Sequence, residues 1–176
     1  NPSNPDELLA GEDMDGLFLS EDNGETWRLT GPKGHWFTDI KYDRAAPGRV
    51  YACAPAPLKR VMNSASRRRA FRLDRGRKTG FYASEDGGRT WTRLSDDAPA
   101  ELVQIEGNGD LVGVFSDYRE IRISHDGGRT WSDFHQGLPK KADTYFADSK
   151  PIPYEYYAFA AGKDFYLAAD AAGTLY

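Results

Sequence analysis

The segment "SEDNGETW" at 20–27 returns as "SEDGGRTW" at 84–91 and as "SHDGGRTW" at 124–131, and no other feature restricts the fold of this chain so strongly. The opening serines, Ser20, Ser84 and Ser124, are spaced by 64 and then 40 residues. A period of about 40–50 residues marks one supersecondary unit repeated along the chain, with extra residues inserted in the first interval. Within each copy, Asp followed by one or two glycines suits a tight turn, because Asp bonds the nearby backbone and Gly accepts positive φ. The strand-like runs "LFLS", "FYAS" and "IRIS" precede the turns, and "WRLT", "WTRL" and "WSDF" follow them. Each phrase therefore reads as a hairpin turn closed by a tryptophan.

The pattern S-x-D-x-G-x-T-W resembles the Asp-box, or BNR, repeat of β-propellers such as sialidases, xyloglucan-cleaving glycosidases, sortilin-type receptors and photosystem assembly factors. The resemblance implies an all-β chain of four-stranded antiparallel blades. Asp22, Asp86 and Asp126 would tie the turns between the two outer strands, and Trp27, Trp91 and Trp131 would pack inside. These are scaffold roles, and the families that share the box do different things.

Strands are expected at 8–10, 16–19 and 27–30 in blade one (1–30), and at 38–42, 49–53, 80–84 and 91–94 in blade two (38–94). Blade three (100–134) would use 100–106, 110–115, 120–124 and 131–134, and a partial blade four (154–176) would use 154–160, 164–169 and 173–176. About three and a half blades of an expected seven-bladed ring are too few to close it, since propellers need about 4–8. A second chain or further sequence is expected to complete the one propeller domain.

Composition narrows the functional classes. A net charge of −4 gives no general pull toward nucleic acid or anionic membrane, and no apolar run has the length of a membrane span. The single cysteine, Cys53, reads as a small buried strand residue. His35, His125 and His135 lack metal-ligand spacing, so no metal is expected. Neither a phosphate-binding nor a dinucleotide pattern is present, and no cofactor is expected. The expected location is extracellular or periplasmic.

Successive antiparallel strands send their turns to opposite ends. The boxes share one end with the short links 43–48, 107–109 and 161–163; the other end carries the long segments 31–37, 54–79 and 135–153. Loops held by a rigid scaffold are where binding and chemistry concentrate, so the site is expected opposite the boxes. There "AGEDMDG" supplies Glu12, Asp13 and Asp15, "FSDYRE" supplies Asp117, Tyr118 and Arg119, and Asp170 takes the equivalent place in blade four. Paired carboxylates are what glycoside hydrolysis requires, while Asp and Gly are also ordinary turn residues.

"LLAGEDMDGLFLSEDNGETW" is similar to the segment of xyloglucanase-type glycosidases in which T-D-x-G-G-x-Y leads into the first outer hairpin. The resemblance implies that Asp13 is one catalytic carboxylate, with the second supplied by a later blade; Asp15 and Asp117 are further candidates from their place in the turns alone. Two departures stand: Glu12 replaces the Thr and Asp15 the first Gly. "YDRAAPGRVYAC" also resembles that group's D-P-x-x-P-x-x-x-Y-A phrase. Sialidases fit less well, because neither their F-R-I-P segment nor their separated arginines can be identified.

The insertion between strands two and three of blade two is strongly basic. Residues 55–80 hold nine Lys and Arg, among them Arg67, Arg68 and Arg69, against Asp74 alone. Arginine forks suit carboxylate, sulfate or phosphate, so a uronate-bearing or sulfated glycan, an acidic protein or nucleic acid would fit; a solvated loop would as well. One phenylalanine in the run is too little aromatic content for a nucleic-acid stacking platform. Trp36 and Tyr145 are the leading candidates to stack on sugar or anchor an interface. The expected function is a glycoside hydrolase acting on a poly- or oligosaccharide; the alternative is a non-catalytic propeller that binds a protein or anionic glycan.

Overall fold

Three short turns set the architecture, and each is built in the same way. In the first box, Ser20 Oγ donates to Asp22 Oδ1 (2.8 Å) and receives the Gly24 amide (2.8 Å). The same carboxylate accepts the Thr26 amide at Oδ1 (2.8 Å) and the Thr26 hydroxyl at Oδ2. Trp27 Nε1 closes the turn on Gly24 O (3.0 Å). Ser84–Asp86–Thr90–Trp91 and Ser124–Asp126–Thr130–Trp131 repeat these bonds. Two consecutive residues in each turn have positive φ: Asn23 and Gly24, Gly87 and Gly88, Gly127 and Gly128. Only Gly, or Asn at modest cost, sits comfortably there, which is why that place reads Asn, Gly and Gly.

The computed structural model describes residues 1–12, 14–56, 77–104, 109–115, 120–134, 145–147, 150–152, 156–161 and 166–170. It divides into two compact units, Asn1–Ala98 and Pro99–Tyr176. All strand pairing is antiparallel, and no helix occurs among the described residues.

The first unit holds two sheets. One has three strands in sequence order, β1 (Leu8–Glu12), β2 (Gly16–Ser20) and β3 (Arg28–Leu29). The other has four, β4 (Asp39–Tyr42), β5 (Val50–Ala54), β6 (Gly80–Ser84) and β7 (Thr92–Ser95). β5 and β6 are buried along their whole length. A strand covered on both faces reads as a continuous apolar run rather than an alternation, which accounts for "VYACA". On one face Tyr51 stacks on Phe81 with centroids 5.6 Å apart. On the other, Ala52, Ala54 and Tyr82 join Leu17 and Phe37, with Ile40 and Trp91 at the margin. Cys53 is fully buried in β5, and burial raises its thiol pKa well above the ordinary value, which keeps it protonated.

Trp91 reaches the preceding sheet, where Nε1 also donates to Thr30 Oγ1 (3.4 Å). Trp27 differs from the expectation of an inward-packed ring. It belongs to the first sheet of the unit and remains 43% exposed, as does Leu29 at 41%. Arg89, in the second box, binds Glu7 (2.6 Å) and Glu21 (2.5 Å) and so links that turn to the first hairpin.

In the second unit, β8 (Glu101–Gln104), β9 (Leu111–Phe115), β10 (Glu120–Ser124) and β11 (Ser132–Asp133) form a four-stranded sheet ordered β11-β10-β9-β8. Trp131 meets Phe115 edge-on at 5.0 Å. Residues 135–153, expected as a connection, contain a hairpin of β12 (Tyr145–Ala147) and β13 (Lys150–Ile152). Its three-residue strands are too short to show a period in the sequence. β14 (Tyr156–Ala161) pairs with β15 (Tyr166–Asp170); the strand expected at 173–176 lies outside the described residues.

The turn geometry predicts opposite outcomes for two substitutions. Asn23→Gly should leave stability within about 0.5 kcal/mol, since Asn already tolerates this backbone region. At Gly88 an added Cβ would fall 2.7 Å from Leu9 Cδ2 at φ +92°. Gly88→Ala should therefore cost about 1–3 kcal/mol, measured by denaturant titration. Equal stability of the two variants would contradict this account of the turn.

Candidate functional site

Strand direction separates the boxes from the long connections. β2 runs from Gly16 to Ser20 and leads straight into its box, so the turn at Met14 and Asp15 stands at the other end, about 16 Å away at 3.3 Å per residue. The same holds in the second sheet: Gly87 of the box donates to Gly48 O (2.7 Å) in the β4–β5 turn, while β5 ends at Ala54 and β6 begins at Gly80 at the opposite end.

At that opposite end, three segments are stitched together through their backbones. The Met14 amide donates to His35 O (3.1 Å), Gly34 donates to Met14 O (2.8 Å), and Lys78 donates to Gly34 O (2.7 Å). Met14 has φ of 66°, unusual for a side chain of its size. Both of its main-chain groups are engaged, and such over-determination is what holds a strained residue in place. The acidic turn, the segment before β4 and the base of the basic insertion thus form one hydrogen-bonded cluster.

His35 anchors the cluster from beneath. It is 3% exposed and packs on Phe37 (5.5 Å) and edge-on to Tyr82 (5.2 Å). Nδ1 lies 3.1 Å from Lys33 O, which can only accept, so Nδ1 carries the proton; Nε2, 2.8 Å from Tyr82 Oη, accepts the phenol proton. Both nitrogens are satisfied in the neutral ring. Burial lowers the His35 pKa, and the nearby charges of Lys78 and Arg93 add to that. Lacking a free nitrogen, His35 is a support rather than a general base.

Trp36, the next residue, points outward and is 46% exposed. The Arg77 guanidinium carbon lies 4.1 Å from its ring centroid, a cation–π contact. Asp15 is exposed and no part of Asp13 lies within the described residues. Asp117, Tyr118, Arg119 and Arg67, Arg68 and Arg69 also lie outside them, while Tyr145 is described as part of β12 by its backbone alone. The structure thus brings together Asp15 and Trp36 from the candidates, and adds Arg77, Lys78 and His35. The basic run identified Arg77 and Lys78 only as charge; nothing in the spacing linked them to Trp36, some forty residues earlier in the chain.

The box carboxylates belong to the other end and to another chemistry. Burial works against ionisation of Asp86, yet bonds from Thr90, Ser84 and the Arg89 amide bring its pKa to about 2; Thr130 leads the same effect at Asp126, also about 2. Such groups hold no proton to deliver near neutrality. Among the described residues, no three His, Cys, Asp or Glu are grouped to hold a metal ion.

Residues 122–133 match the BNR/Asp-box repeat model, and two of the three box hairpins lie in four-stranded antiparallel sheets, the blade of a β-propeller of that type. Among solved structures the chain is similar to the GH74 xyloglucanase from Xanthomonas campestris, with TM-score 0.57 and 13% identity over 97% of this chain and 26% of that one. A GH74 enzyme of Niastella koreensis gives TM-score 0.56 and 16% identity over 98% and 29%. YCF48 bound to D1 peptide gives 0.57 and 13% over 97% and 46%. The chain spans less than half the length of each, and at these identities the likeness establishes the propeller fold. No sequence relative was found among curated proteins.

The His35 geometry has a pH signature. With its folded pKa depressed, the contribution to stability is present above about 6.5, the ordinary value, and is lost as pH falls toward the lower folded pKa. Of the three histidine resonances expected by NMR, the one from His35 should titrate below 6.5. Titration at or above 6.5 would contradict the buried neutral tautomer.

Proposed function

We propose that this chain is part of a carbohydrate-active β-propeller, a secreted glycoside hydrolase acting on a plant or microbial polysaccharide. One observation carries the reading: the acidic β1–β2 turn and the segment presenting the exposed Trp36 are a single hydrogen-bonded unit, joined through Met14, Gly34 and His35. Cleavage of a glycosidic bond needs a carboxylic acid on one side and a carboxylate on the other. An exposed ring supplies an apolar surface on which a sugar can lie. In this reading Asp13 is one of the two carboxylates, with Asp15 and Asp117 as the other acids of the turns. Trp36, Tyr118, Arg119, Tyr145 and Arg67, Arg68 and Arg69 handle the substrate, and the chain belongs to one propeller domain. Similarity in fold to GH74 enzymes supports the same reaction class.

A second reading, a binding propeller without catalysis, is favoured by the equal likeness to YCF48, which was solved with a peptide bound. Release of reducing ends from xyloglucan and related polysaccharides by the full-length protein separates the two. Asp13→Asn should lower kcat by about 10²–10⁴-fold with the circular dichroism spectrum unchanged. Full activity in that variant removes Asp13 from the mechanism. Absence of hydrolysis on every polysaccharide, with peptide binding retained, favours the second reading.

A further inference from the structure

We infer that the outer face of the first sheet is the seat of a further Asp-box sheet, distinct from those of this chain, that carries Lys or Arg where the first sheet carries Glu7. Residues opposite one another on neighbouring antiparallel strands share a face, and so do alternate residues along a strand. Leu9, Gly11, Leu17 and Leu19 therefore make one face of the first sheet, and Leu8, Ala10, Phe18 and Leu29 the other. The second sheet covers the former: Leu17 and Leu19 are buried, and a Cβ on Gly88 of the second box would meet Leu9. The other face is as apolar and stands open, with Leu8, Ala10 and Phe18 half-buried and Leu29 exposed. Trp27 extends it, because a Cβ built on Gly24 would fall 3.5 Å from Leu8 Cδ1 and 3.8 Å from Trp27 Cζ2. A contiguous apolar patch of this kind marks an interaction surface.

How the second sheet sits on the first defines the occupant. Tyr82 and Trp91 of the second sheet pack with Leu17, Trp91 Nε1 donates to Thr30 Oγ1 (3.4 Å), and Arg89 binds Glu7 and Glu21. Phe18 is to the first sheet what Tyr82 is to the second, each two residues before its box serine, and Trp27 is the counterpart of Trp91. The open face thus repeats the parts with which the second sheet is seated, with one exception. Glu25 stands in the place of Arg89. Where a base met two acids there is now an acid, so complementarity asks the facing surface for a cation.

No described box sheet of a second copy offers one. The place of Glu7 directly precedes the residue paired with the box serine: Leu8 with Ser20, Val50 with Ser84, Leu111 with Ser124. That place is held by Glu7, Arg49 and Asp110 in turn. Glu7 and Asp110 would repel Glu25, and Arg49 is committed to Glu85 (3.0 Å) and Asp43 (3.8 Å). Glu25 therefore selects against stacking of copies as well as for a basic partner.

Hydroxyl-radical labelling of the full-length protein, read residue by residue by mass spectrometry, tests this. Trp27 and Trp36 are nearly equally exposed in this chain, so Trp36 is the internal reference. A seated sheet excludes water from the indole, and Trp27 should be labelled about fivefold more slowly than Trp36 at every protein concentration. Glu25→Arg introduces the residue that the other two boxes carry at this place, so the turn itself accepts it. Opposite a cation it should raise Trp27 labelling about threefold or more, while Glu25→Gln should change it by less than about twofold. Trp27 labelled as fast as Trp36 overturns the inference. Protection that disappears on dilution overturns it in favour of a second copy, and protection that appears only with xyloglucan overturns it in favour of a sugar-binding face. Protection kept or deepened in Glu25→Arg overturns the charge assignment, since the occupant then presents acids as the first sheet does.

Discussion

One buried hydroxyl and one carboxylate govern each hairpin of this protein. Ser20, Ser84 and Ser124 are 1–2% exposed, and each offers its oxygen to the amide of a glycine four residues on while donating to the aspartate of its box. The aspartate then gathers the threonine. A charged acceptor with several donors makes shorter and stronger bonds than a neutral one, so the turn is fixed in a single geometry despite its surface position. Two positive-φ residues are the backbone condition for that arrangement, and tryptophan is its lid.

Fixed hairpins at one end leave the other end open to variation. At the opposite end the chain departs from repetition: Met14 in a strained backbone, His35 neutral and enclosed, Trp36 outward under Arg77. Each depends on the one below it. His35 is held by Lys33 and Tyr82, and Tyr82 stands in β6, whose register is set by the pairing that ends in the second box. Rigidity at the box end is thereby conveyed along a buried strand to the candidate site.

The scaffold was legible in the sequence because its physics is local. Serine, aspartate, glycine, threonine and tryptophan within eight residues specify one turn, and three copies specify a repeated sheet. The two central strands of the second sheet were legible too, the runs at 49–53 and 80–84 falling within a residue of β5 and β6. The hairpin of β12 and β13 was not, because strands of three residues carry no period. The candidate site was legible as a list of acids, aromatics and arginines and as an end of the sheets. Its internal contacts, Met14 to His35 and Trp36 to Arg77, arise from tertiary placement of segments distant in the chain, for which no residue spacing is diagnostic.

The central claim is that ligand handling and box scaffolding occupy opposite ends of the strands. The chain has four tryptophans, one at the candidate site and three in boxes whose indole N–H groups are bonded to Gly24, Gly88 and Gly128. A ¹H–¹⁵N spectrum of the indole groups during addition of polysaccharide reads both ends at once. The Trp36 resonance should move with saturation while the other three stay in place; movement of the box indoles with Trp36 unaffected would contradict the account.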